Sequence, residues 1–112
     1  MMTAADMGLL QQALQFLRAG QPREAGGTLA RLSAGGQQHP DALYLAALAS
    51  DGLGRAGDAE QLFGAAIAKA PGNAGYWNSF ALMLQRLGRA GEALAALERA
   101  VAADPRHGEA WL

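Results

Sequence analysis

Apolar residues recur along this chain at intervals of three and four, the spacing of one face of an α-helix, and each such run is closed by glycine or proline. Trp77, Phe80, Ala81 and Leu84 form one stripe, stopped by Leu87-Gly88-Arg89. Ala93, Leu97, Ala100 and Val101 form a second, stopped by Asp104-Pro105. Glycine takes the left-handed conformation that often ends a helix, and proline cannot continue a helix interior. The predicted unit is therefore helix, tight turn, helix, loop.

The pattern repeats with a step of 34 residues, the step from Trp77 to Trp111. Leu43, Ala46 and Ala47 lead to the Leu53-Gly54-Arg55-Ala56-Gly57-Asp58-Ala59 turn, then Phe63, Ala66, Ile67 and a stop at Pro71. Earlier still, Leu9, Ala13 and Phe16 lead to Gly20-Gln21-Pro22-Arg23-Glu24-Ala25, with Leu29 and Leu32 behind. Three units result, at about residues 6–39, 40–73 and 74–107, within one domain spanning residues 1–112, and residues 108–112 open a fourth. Small residues hold fixed slots: Ala13, Ala47 and Ala81 in the first helices, Ala25, Ala59 and Ala93 in the second. They are expected to face one another and let helix axes approach to ~8–10 Å.

With this spacing the chain resembles the tetratricopeptide repeat family. In the third unit Trp77, Phe80-Ala81, Leu84, Gly88, Ala93, Leu97, Ala100 and Pro105 follow the family pattern; Ser50, Gln12 and Gln37 depart from it. The resemblance implies an all-α fold, a right-handed α-solenoid of antiparallel helix pairs, whose concave side is lined by the first helices and binds peptides or partner helices. Carried over slot by slot, the groove residues are Leu10, Leu14, Leu17 and Arg18 in the first unit, Tyr44, Leu48 and Asp51 in the second, and Asn78, Leu82, Gln85 and Arg86 in the third. Leu14, Leu48 and Leu82 recur at the repeat interval. Family members that grip a C-terminal carboxylate carry Lys, Asn and Arg in such slots, so the resemblance points away from that ligand. It points instead to a protein or peptide that presents apolar anchors, such as an amphipathic helix. Packing of the same leucines against neighbouring helices is the competing reading.

Composition narrows the remaining functions. Nine Lys plus Arg against ten Asp plus Glu, with no run of like charge, give no basic stripe for nucleic acid. No apolar stretch approaches the ~20 residues needed to cross a bilayer, and Met1 to Leu17 does not read as a signal peptide, so a cytoplasmic protein is expected; a bacterial type is implied only by the resemblance to alanine-, glycine- and arginine-rich repeat arrays. Cysteine is absent. His39 and His107 lie in loops without acidic neighbours in ligand spacing, so no metal and no other cofactor is expected. The Gly-Arg-Ala-Gly turns lack the Lys-Ser/Thr pair and preceding strand of a phosphate loop, and Arg55 and Arg89 are expected to point to solvent. No catalytic residues are identified and the chain is read as non-enzymatic. Two alternatives remain open: an N-terminal arm of a larger bacterial enzyme of sulfotransferase or glycosyltransferase type, and self-association through an uncapped end at Leu94, Val101, Trp111 and Leu112.

Overall fold

The computed structural model describes residues 2–104, and among them it contains seven helices. They are α1 (Ala4–Arg18), α2 (Pro22–Leu29), α3 (Ala34–Gln37), α4 (Pro40–Gly52), α5 (Ala56–Lys69), α6 (Ala74–Arg86) and α7 (Ala90–Ala103). The expected pairs are α1 with α2, α4 with α5, and α6 with α7. Among the described residues the short α3 has no counterpart in the other two repeats. The chain divides into two compact units, Met1–Ala66 and Ile67–Leu112.

One local device ends the first helix of every pair. Gly20, Gly54 and Gly88 have φ of 73°, 78° and 78°. In each case the glycine N–H donates three residues back, to Leu17, Asp51 or Gln85, and the next N–H donates five residues back, to Phe16, Ser50 or Leu84. This is the Schellman arrangement, which satisfies carbonyls that the helix end would leave open. The second helices then begin with Glu24, Asp58 and Glu92 in their first turns, where the helix dipole favours negative charge.

In the first unit α1, α2 and α4 close around Ala13, Ala25, Leu29, Leu32, Ala42, Leu45 and Ala49, with Leu9 and Phe16 packed on them. Tyr44 of α4 meets Phe63 of α5 edge to face, with ring centres 6.0 Å apart. In the second unit Ala81, Leu84, Ala93 and Ala96 form the α6–α7 seam beneath Trp77, Phe80 and Leu97. Trp77 also donates from Nε1 to the Pro71 carbonyl at 2.9 Å, and the Arg99 guanidinium lies 5.9 Å from its ring centre. All six slot alanines are buried: Ala13, Ala25, Ala47, Ala59, Ala81 and Ala93.

A buried carboxylate joins α1 to the bend after α2. Asp6 is 2% exposed, and Thr3 and Asp6 cap α1 reciprocally. The Asp6 carboxylate also accepts from the Ser33 N–H at 2.9 Å and from Ser33 Oγ at 2.6 Å. These Ser33 bonds, followed by the Thr3 N–H, hold its carboxyl far below the ordinary value of 3.8, outweighing the opposing effect of burial. Ser33 caps α3 in turn, by accepting from the Gly36 N–H at 3.0 Å.

Two expectations follow for stability. The folded chain holds the Asp6 proton less tightly than the unfolded chain does. Its contribution is therefore present above the ordinary carboxylate range and is lost as pH falls below about 4. Thermal midpoints measured between about pH 6 and pH 2 should drop more steeply for the wild type than for Asp6→Asn; parallel curves would refute this role. At Gly52 an added Cβ would sit 2.9 Å from Cβ of the rigid Pro22 ring, whereas at Gly64, inside α5, it would meet nothing within 4 Å. Urea titration should show Gly52→Ala destabilised by about 1–3 kcal/mol and Gly64→Ala stabilised by about 0.5–1 kcal/mol.

Candidate functional site

The inner-slot residues differ in accessibility from one helix to the next. Leu10, Leu14 and Leu17 of α1 are half-buried and pack on the core of the first unit, while Arg18, in the last turn, is exposed. Tyr44 and Leu48 of α4 pack on the same core, and Asp51 is half-buried. On α6, Asn78 is buried, Leu82 is 52% exposed, and Gln85 and Arg86 are exposed. The leucine series therefore changes character: Leu14 and Leu48 divide their surface between core and outside, whereas Leu82 is mostly open. Helical rotation is common to all three, since each leucine follows a buried alanine, Ala13, Ala47 or Ala81, so the difference comes from what packs around each helix.

Of these residues, Leu17 and Leu48 are brought together around one concavity. They line a pocket of about 380 Å3 with Gly20, Pro22 and Gly52. Gly20 ends α1, Pro22 opens α2 and Gly52 ends α4, so the pocket lies where three helix termini converge. Two glycines and a proline supply its remaining wall with little side-chain bulk. Its volume is at the small end of the ~300–1,000 Å3 typical of ligand sites, and its leucine lining suits an aliphatic side chain. The sequence reading included Leu17 and Leu48; it read Gly20 and Pro22 only as part of the boundary between helices and did not single out Gly52.

Away from this pocket, Arg89, Glu92 and His39 have structural partners. Arg89, expected to point to solvent, is half-buried, and its Nε donates to Glu92 Oε1 at 3.0 Å while Nη2 donates to Oε2. That fork lowers the Glu92 carboxyl below its ordinary value, through hydrogen bonding first and charge second. His39 is the N-cap of α4, its Nδ1 accepting from the Asp41 N–H at 3.1 Å. Among the described residues no group of three or more His, Asp or Glu side chains is arranged to hold a metal ion. No helix among them is long and apolar enough to cross a membrane.

Of the residues expected to mediate self-association, Leu94 is 59% exposed and Val101 half-buried. Trp111 and Leu112 lie outside the described residues, as does His107.

Comparison with known proteins bears on this arrangement. A sequence profile described as the tetratricopeptide repeat matches residues 10–74 and 79–112. Among solved structures, the crystal structure of MamA superposes with a TM-score of 0.80 at 20% identity, covering 95% of this chain and 62% of that one. A MamA RS-1 double mutant superposes with a TM-score of 0.78 at 24% identity, covering 99% of this chain and 62% of that one. At these identities the likeness is one of fold: an α-solenoid of helix pairs. The chain spans 62% of the length of each of these structures. No curated protein matches it.

Proposed function

The chain belongs to the tetratricopeptide repeat family, a protein-interaction scaffold, and from that premise we propose that its first helices bind a peptide or helix carrying apolar anchors. The observation that carries this reading is the pocket at Leu17 and Leu48, a concavity of about 380 Å3 lined by these two leucines with Gly20, Pro22 and Gly52. Considered by itself, the unit Ile67–Leu112 exposes Leu82 at the slot that Leu14 and Leu48 occupy in α1 and α4. An amphipathic helix presents apolar side chains at i, i+3, i+4 and i+7, which suits recognition through separated leucine contacts.

Polar residues beside these contacts would orient the ligand without adding a strong charge preference. Arg18 and Arg86 stand in the last turns of α1 and α6, and Asp51 at the end of α4. No row of cations is formed by Leu10, Leu14, Leu17, Tyr44, Leu48 and Leu82, which argues against a ligand held mainly by its terminal carboxylate. The reading is one of binding, with the chain acting as a non-catalytic partner in a larger assembly.

Selection of a displayed library of helical peptides on the purified chain tests this. Selected sequences should share leucine, isoleucine or phenylalanine at helical spacing. Leu82→Asp should weaken their binding about tenfold or more, since losing the burial of one such side chain removes roughly 1.5–3 kcal/mol. Circular dichroism of this variant should match the wild type, because Leu82 lies largely outside the core. Binding unchanged both by Leu82→Asp and by filling the pocket with Leu17→Trp would overturn the proposal.

A further inference from the structure

The first pair departs from the other two in one place. Stepping α7 (Ala90–Ala103) back by the repeat interval gives α5 (Ala56–Lys69) at both ends. Stepping α5 back once more begins correctly at Pro22 but should end at Gly35, whereas α2 stops at Leu29. Residues 30–33 instead form a bend, and α3 follows.

The residues in the bend do not themselves forbid helix. Ala30-Arg31-Leu32-Ser33-Ala34 contains neither glycine nor proline, and most of these types have good helix propensity. Leu32 follows Ala25 and Leu29 at helical spacing and stands at the slot of the buried Ala66 and Ala100. Helical continuation would thus keep it on the core side. What excludes continuation is hydrogen bonding. In a continuous helix the Ser33 N–H would donate to the Leu29 carbonyl. Here that N–H and the Ser33 hydroxyl both donate to Asp6, and the Leu29 carbonyl accepts from the Leu32 N–H at 3.1 Å. The bent form calls for glycine at position 36, since a Cβ there would fall 2.7 Å from Asp6 Cγ.

We propose that residues 30–38 are a two-state element, latched by Asp6 into the bend and α3, and released into a continuation of α2 to the length of α5 and α7. The two arrangements compete for the same Ser33 N–H, so they are mutually exclusive. The switch also reshapes a second concavity. Leu32, Gln37 and Gln38 line a pocket of about 350 Å3 together with Gly26, Leu29, Ala30, Ala42, Leu43, Ala46 and Leu62. Release would withdraw Gln37 and Gln38 from that wall, and any ligand bound to only one form would shift the balance towards it.

NMR of the full chain decides the matter, comparing wild type with Asp6→Ala, Ser33→Ala and Gly36→Ala. The last two leave the α1 capping box in place and keep the experiment informative if Asp6→Ala fails to fold. In the wild type Ser33 should show the extended backbone it has here, at φ −63° and ψ 164°. In the variants Cα shifts from residue 30 through residue 35 should move to helical values, with stronger circular dichroism at 222 nm and unchanged shifts in α6 and α7. The proposal is overturned if those residues move to random-coil values, or if they keep wild-type shifts in all folded variants.

Discussion

The close approach of paired helices at alanine is the constraint on which the rest of this structure depends. Ala13, Ala25, Ala47, Ala59, Ala81 and Ala93 are all buried, at slots that recur with the repeat interval. A methyl group is the largest side chain that permits the short interaxial distances of tightly packed helices. Larger apolar residues then fill the space above and below, as Leu84, Phe80 and Trp77 do around Ala81 and Ala93. The stripe arises from this division of labour: small residues stand at the close approach, and leucines and aromatics pack around them.

The turns keep that spacing in register. Each first helix ends through the same pair of backbone hydrogen bonds around a glycine of positive φ, so the chain leaves each first helix in the same local conformation. Around such a fixed hairpin the repeats differ at other positions. Leu17 and Leu48 line one pocket beside the ends of three helices, together with Gly20, Pro22 and Gly52. The close fit of Gly52 against Pro22 shows how little slack remains immediately beside that opening.

The Asp6 latch stands apart from the repeat. It is a charged, buried group whose stability rests on full hydrogen bonding: the Thr3 N–H, the Ser33 N–H and the Ser33 hydroxyl together replace the water it has lost. Its cost is carried by the chain geometry, which gives up helical continuation of α2 to supply two of those donors. The same choice creates α3 and one wall of the adjacent pocket.

The repeat interval, the helix pairs, the alanine slots and the glycine turns were legible in the sequence, because each depends on residues within a few positions of one another and returns three times. Periodicity of that kind reports helical faces and helix ends directly. The inner slots were legible as positions but not as environments: the sequence aligns Leu14, Leu48 and Leu82, and only packing makes the first two half-buried and the third open. The Thr3-x-x-Asp6 capping signature was there to be read as a helix start. That Asp6 also reaches Ser33 was not, since the contact joins residues far apart in the chain and appears in one repeat only. Local sequence determined where helices begin, end and approach; the tertiary structure alone decided where a helix that could have continued was made to bend, because a buried carboxylate offered its amide a better partner.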